Sequence, residues 1–160
     1  MPTPARTALN NQIIPDFAKQ FKSGEILFVG KDRKWDYSHL FPSCSYKTLD
    51  IDPKIKPDIV ADIEDSKLPD DSFDGVIMTG VWEYLKNSWL VIEEIYRILK
   101  PKGKVLICFP GSSYYEDKSK TLSLNGAIDK LFLFKITRIN ITYYKSSVPY
   151  YIYIYAEKCN

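Results

Sequence analysis

Glu25-Ile26-Leu27-Phe28-Val29-Gly30 is the stretch that decides the fold. Four consecutive apolar residues closed by a glycine describe a short strand buried on both faces, because a half-exposed strand would alternate apolar with polar. Strands of that kind sit inside parallel sheets covered on both sides. Downstream, residues 46–51, 59–61, 73–79 and 105–109 read as further strands. The fourth of the five is preceded by the turn sequence Leu68-Pro69-Asp70-Asp71-Ser72. Between the fourth and fifth strands, Ile92, Ile95, Tyr96 and Leu99 recur at i, i+3, i+4 and i+7, which predicts a helix over 88–99. Asn87 or Ser88 can cap it, and Pro101 and Gly103 are expected to end it. A short helix is expected at 37–41, stopped by Pro42, and an N-terminal helix at 8–22, where Leu9, Ile13, Phe17 and Phe21 recur every four residues. Pro15 must be tolerated inside that helix or mark a restart.

Strands alternating with helical segments imply parallel βαβ units. The tail breaks the rhythm: after a helix near 122–131, residues 134–144 and 150–157 are strands joined by Lys145-Ser146-Ser147-Val148-Pro149. That connection is too short for a crossover and suits an antiparallel hairpin. The expected architecture is α/β: a Rossmann-like doubly wound sheet, mostly parallel, with an antiparallel hairpin at the C-terminal edge. Residues 1–7 are expected to be an unstructured N-terminus, with 8–160 forming a single domain.

Composition narrows the setting. The 160 residues are 45% apolar, enough for one packed core. No apolar run is long enough to span a bilayer, and Met1-Pro2-Thr3-Pro4 does not open a signal peptide. Three widely spaced cysteines, Cys44, Cys108 and Cys159, fit neither a disulfide framework nor a zinc site, so a reducing, cytoplasmic location and no metal are expected. The net charge of +2 is uneven: residues 1–99 hold 12 Lys/Arg against 16 Asp/Glu, and residues 100–160 hold 10 against 4. The basic half could favour an anionic substrate, or could be strand-edge lysines that discourage edge pairing. No dense basic cluster points to nucleic acid.

Ligands of open parallel sheets bind beyond the carboxyl ends of the strands. The residues there are Gly30 after the first strand, Asp50-Ile51-Asp52 after the second, Asp62-Ile63 after the third, Thr79-Gly80 and Trp82-Glu83-Tyr84 after the fourth, and Pro110-Gly111-Ser112 after the fifth. A glycine permits close approach, and a carboxylate can accept from both hydroxyls of a ribose. The row fits a nucleoside-bearing cofactor. Each member also has a plainer reading: Gly30 as a tight turn, Asp50 as a turn cap, Trp82 and Tyr84 as packing.

The stretch 46–103 resembles the type 11 group of class I S-adenosylmethionine-dependent methyltransferases. The matching segments are Thr48-Leu49-Asp50-Ile51-Asp52-Pro53, Ala61-Asp62-Ile63-Glu64, Leu68 through Ile77, Val81-Trp82-Glu83-Tyr84-Leu85, and Glu93-Glu94-Ile95-Tyr96-Arg97-Ile98-Leu99-Lys100-Pro101-Lys102-Gly103. The resemblance extends back through 26–42, where Leu40-Phe41-Pro42 is similar to members placed in glycan modification. It implies a seven-stranded methyltransferase core, S-adenosylmethionine as cofactor, and a small-molecule or glycan-type acceptor. It also implies that Gly30 lies under the methionine part of the cofactor and Asp50 binds the ribose, with Ile51 near the adenine. Asp62 and Ile63 would contact the adenine, and Thr79, followed by Gly80, would lie by the sulfonium.

The family's first motif is an acid followed by alternate glycines; here it reads Phe28-Val29-Gly30-Lys31-Asp32-Arg33-Lys34, leaving Asp32 as the candidate replacement acid. Candidate bases are Glu83, His39 and Tyr114, and the acceptor is expected against the loop 111–123, with a partner chain or homodimer completing that site. The altered turn also motivates a second reading, a non-catalytic binding or assembly subunit with the same fold.

Overall fold

The computed structural model describes residues 3–31, 34–112, 114, 116–143, 145 and 149–159, without the side chain of residue 118. Seven strands form one sheet: β1 (Gly24–Val29), β2 (Cys44–Asp50), β3 (Ile59–Val60), β4 (Phe73–Met78), β5 (Leu99–Pro110), β6 (Phe134–Tyr143) and β7 (Pro149–Lys158). Their order is β3-β2-β1-β4-β5-β7-β6. The first five pair in parallel, β7 runs antiparallel to β5, and β6 runs antiparallel to β7. This is the architecture the strand and hairpin patterns imply.

Period-two alternation assigns each strand residue to one of two cores. Leu27, Val29, Val76, Met78, Val105, Ile107, Ile152 and Ile154 face one side, where α3 (Ser88–Ile98) presents Val91, Ile92 and Ile95 and α4 (Leu124–Lys130) presents Ala127. Asn87 caps α3 through its side-chain oxygen, which accepts from the Trp89 N–H at 3.1 Å. Ile26, Phe28, Ile77, Leu106, Cys108 and the β7 tyrosines Tyr151, Tyr153 and Tyr155 face the other side. Leu9, Ile13, Ile14 and Phe17 cover that face together with Tyr37 and Phe41.

The N-terminal helix differs from its expected form. It begins at Pro4, and Ala5 is only 7% exposed, so residues 4–7 of the expected unstructured tail are in fact docked. It runs as α1 (Pro4–Ala8), a π-helical turn Leu9–Ile13 and α2 (Ile14–Ala18), with Pro15 in the first turn of α2. The wider turn relieves the clash a proline ring makes with the preceding turn of a regular helix. Two buried tyrosine hydroxyls hold the segment: Tyr153 donates to the Ala5 carbonyl at 2.9 Å and Tyr155 to the Ile13 carbonyl at 3.0 Å. The periodicity of 8–22 could not show this, because the tethers lie more than a hundred residues away.

Two other boundaries move. The expected helix at 37–41 is a single 3₁₀ turn, Ser38–Leu40, and aromatic packing covers the sheet there: Phe28 stacks on Tyr37 and Phe41 on Tyr46, with centroids 5.3 and 5.6 Å apart. Pro101 and Gly103, expected to terminate α3, lie within β5, because Leu99 already pairs with Phe73 and the strand bulges before Lys104 pairs with Gly75. A bulge accommodates a proline that has no N–H for the ladder. No helix among the described residues is long and apolar enough to cross a membrane.

One ion-pair network pins α3 to the loop before β4. The Glu94 carboxylate accepts from the Ser66 N–H at 3.0 Å, from the Ser66 hydroxyl, and from Arg97 Nε and Nη2 at 2.9 and 2.7 Å. Arg97 also pairs with Asp70. The bonds from Arg97 hold the Glu94 carboxyl below its ordinary 4.5; burial opposes them and the bonds from Ser66 add to them. A carboxyl depressed by folding stabilises the native state above its unfolded pKa, and that contribution disappears as pH falls through the folded value. Glu94→Gln should therefore cost about 1–3 kcal/mol at pH 7. In thermal melts the gap between variant and parent should narrow as pH is lowered from 5 toward 3; a pH-independent gap would contradict the ionic origin.

Candidate functional site

The strand order reverses between β1 and β4, and a crevice opens beyond their carboxyl ends. Gly30 N–H still reaches across to the Leu49 carbonyl at 2.9 Å, whereas Thr79 N–H lies 3.5 Å from the Val29 carbonyl, so β1 and β4 are parting there. The result is a cleft of about 560 Å³ lined by Gly30, Asp50, Ile51, Asp62, Ile63 and Gly80, with Tyr84, Leu85 and Lys86 on the far wall. That size suits a small molecule or nucleoside cofactor.

Each lining residue is placed for a local reason. Gly30 has φ +86°, and a Cβ there would meet the Thr79 carbonyl oxygen at 2.8 Å and collide with Val81 Cγ2. The turn therefore requires glycine both for its dihedral and for its space. Gly80, at φ +66°, would set a Cβ in open space. Asp50 is fixed by the short pairing of β2 with β3, in which it opposes Val60 and its carbonyl accepts from the Ala61 N–H at 3.1 Å. Just upstream, Asp58 Oδ2 accepts from the Thr48 hydroxyl and N–H at 2.7 and 2.8 Å, bonds that hold its carboxyl below the usual range against burial and close the loop. Asp50 Oδ1 accepts from the Asp52 N–H at 2.9 Å, so the turn-cap reading is correct for one oxygen, and the residue also lines the cleft. Asp62 repeats the arrangement with the Glu64 N–H at 2.9 Å. Glu64 Oε1 accepts from the Lys86 and Asn87 N–H groups at 2.6 and 2.9 Å, tying the opposite walls of the cleft together.

The aromatic pair after β4 divides its work. Trp82 is buried and meets Phe109 edge-on at 4.5 Å, so it packs. Tyr84 is 74% exposed and Ile51 65%, and both offer flat apolar surface at the cleft mouth.

Gly80 and Tyr84 also line a second cavity, of about 450 Å³. Thr79, Glu83, Tyr114, Tyr151 and Tyr153 line it, together with Arg6, Lys34 and Trp35. Of the candidate bases, Glu83 and Tyr114 are brought here, while exposed His39 lines neither cavity. Tyr114 is the only residue of the loop 111–123 among the described residues of this lining. Arg6, Tyr151 and Tyr153 carried no local signal, since they arrive from the N-terminal helix and the last strand. Asp32, the candidate replacement acid, lies outside the described residues. Lys31 Nζ donates to the Lys56 carbonyl at 2.6 Å, and neither Lys31 nor Lys34 lines the first cleft. Among the described residues no group of three or more His, Cys, Asp or Glu could hold a metal ion.

Residues 40–107 match the type 11 family model of a methyltransferase domain. No curated protein matches the chain. Among solved structures, the N-methyltransferase NodS from Bradyrhizobium japonicum WM9, in complex with S-adenosyl-L-homocysteine, aligns over 99% of this chain and 89% of its own, with TM-score 0.83 and 13% identity. A SAM-dependent methyltransferase from Aquifex aeolicus aligns over 98% and 94%, with TM-score 0.73 and 16% identity. One from Methanosarcina mazei aligns over 87% and 94%, with TM-score 0.71 and 14% identity. At such identities the structural likeness establishes the fold, and with the family match it bears out the resemblance read from the motifs.

Proposed function

We propose that this chain, which has the fold of the class I methyltransferases and matches their domain model over residues 40–107, is an S-adenosylmethionine-dependent methyltransferase acting on a small-molecule or glycan-type acceptor. The observation that carries the reading is the convergence of Gly30, Asp50, Asp62 and Gly80 on one cleft, which shares Gly80 and Tyr84 with a second cavity.

The residues present fit the cofactor. The carboxylate of Asp50 would accept from the ribose hydroxyls, and Ile51 with Ile63 would pack against the adenine, with Asp62 as acceptor for its amino group. Gly30, which lines the cleft without a side chain, would let the methionine part lie on the backbone. Asp50, Asp52, Asp62 and Glu64 outnumber Lys86 along the lining, which favours a cationic ligand. The cofactor supplies an electrophilic methyl group carried on a sulfonium. Gly80 lines both cavities and Thr79 the second, and their task would be alignment of the acceptor atom with that methyl, the main requirement of such a transfer. Glu83 is the carboxylate on the acceptor side and would take the acceptor's proton; Tyr114 would help position the acceptor.

A cytoplasmic setting is supported by three unbridged cysteines, and completion of the acceptor site by a partner chain or a second copy stays part of this reading. S-adenosylhomocysteine at a hundred times its dissociation constant should stabilise the fold by about 2.7 kcal/mol. For a domain of this size that raises the melting temperature by roughly 5–10 °C. No shift at millimolar S-adenosylhomocysteine and S-adenosylmethionine would reject the enzyme and favour the non-catalytic subunit, the reading suggested by the Gly30-Lys31-Asp32-Arg33-Lys34 turn.

A further inference from the structure

We infer that the second cavity selects a small cyclic acceptor carrying a carboxylate or phosphate group, with Arg6 and Lys34 taking the anion and Trp35, Tyr114 and Tyr151 walling the ring. The inference names the substrate class for the proposed methyltransferase. It rests on that reading for the word acceptor, while the anion-binding claim stands on the cavity itself.

Among the described residues, positive charge predominates in the cavity lining: Arg6 from α1 and Lys34 from the loop after β1 stand against one carboxylate, that of Glu83 after β4. A lining with more cations than carboxylates favours a ligand that carries an anionic group. The guanidinium of Arg6 is held in place: its Nη1 donates to the Tyr37 hydroxyl at 3.4 Å, and that hydroxyl donates to Asn10 Oδ1 at 2.6 Å. A positioned guanidinium is the side chain best suited to a planar carboxylate or a phosphate. Its charge is felt at the lining residue Tyr153, where burial pushes the hydroxyl well up and Arg6 draws it partly back. Tyr153 therefore stays protonated and adds no competing negative charge.

The walls are aromatic and braced. Tyr114 meets Tyr151 edge-on at 4.8 Å and Tyr150 at 4.9 Å, and Tyr151 leans on Tyr153 at 5.8 Å. Aromatic surfaces around a space of about 450 Å³ suit a small molecule that carries a ring.

The test is calorimetric titration of the full chain, with and without S-adenosylhomocysteine, using three ring probes: 4-hydroxybenzoate, phenyl phosphate and the uncharged 4-hydroxybenzyl alcohol. At least one anionic probe should bind about tenfold or more tighter than the alcohol, and the preferred one tells carboxylate from phosphate. Arg6→Gln should remove about tenfold of that affinity and leave binding of the alcohol and of S-adenosylhomocysteine unchanged. Lys34→Gln, at an exposed position, should weaken the same probe by a smaller factor and serves if the Arg6 variant folds poorly. Equal binding of charged and uncharged probes, or no binding of either anion, overturns the inference even if S-adenosylhomocysteine binds. Anion binding without any heat from S-adenosylhomocysteine would instead uphold the pocket and reject the methyltransferase reading.

Discussion

Gly30→Ala is expected to destabilise the protein by about 2–4 kcal/mol, the sum of a left-handed backbone conformation forced on an L-residue and overpacking against fixed neighbours. At φ +86° the new methyl would face the Thr79 carbonyl oxygen at 2.8 Å and Val81 Cγ2 closer still. Neither can yield cheaply, since one is backbone at the end of β4 and the other is a stiff β-branched side chain. Thermal denaturation should show a loss of roughly 5–15 °C. The same displacement would move the wall on which the methionine part is proposed to rest, so the folded fraction should also lose affinity for S-adenosylhomocysteine. Gly80→Ala is the control: its φ of +66° carries the backbone cost, but its Cβ meets nothing within 4 Å. A Gly30→Ala protein that melts with its parent would show that the turn is not built as described.

Asp50→Ala should reduce affinity for S-adenosylhomocysteine by about 10–100-fold, the worth of hydrogen bonds to an ionised acceptor. Stability should fall only modestly, by about 0.5–1.5 kcal/mol, through loss of the bond from the Asp52 N–H. Titration calorimetry beside a melting curve separates the two effects. Asp50→Asn keeps an acceptor for the turn and should recover stability more fully than binding. Unchanged affinity in both variants would place the ribose elsewhere.

Much of this was legible before any coordinates. The apolar run 26–29, the α3 stripe of Ile92, Ile95 and Tyr96, and the alternation of Tyr with Ile in β7 each report a local environment, and locality is what periodicity encodes. Even the hidden logic of β7 was present: its isoleucines enter one core and its tyrosines the other. What stayed illegible depends on partners distant in sequence. Ala5 is buried because Tyr153 reaches its carbonyl from 148 residues away, so two prolines near the N-terminus read as a loose tail. Pro101 reads as a helix stop, yet β5 absorbs it in a bulge set by pairing with β4.

The cleft beyond β1 and β4 was easier to anticipate than the second cavity for the same reason. Gly30, Asp50, Asp62 and Gly80 all follow strands of one parallel sheet, so strand ends locate them together. Arg6, Lys34, Trp35 and Tyr151 come from a helix, a loop and the antiparallel edge, and no spacing links them. His39 shows the converse: an ionisable side chain in a promising neighbourhood by sequence, set on an exposed turn away from both cavities. The altered glycine turn was the strongest argument against cofactor binding. Of its described side chains, that of Lys31 turns to the Lys56 carbonyl and that of Lys34 lines the second cavity, and neither lines the first cleft.

A crystal structure of the chain with S-adenosylhomocysteine tests the central claim most directly. The account places the adenosine between Ile51 and Ile63 with both ribose hydroxyls on the Asp50 carboxylate and the sulfur beside Thr79 and Gly80. Electron density for the ligand at any other site, or a cleft that stays empty at saturating ligand, contradicts it.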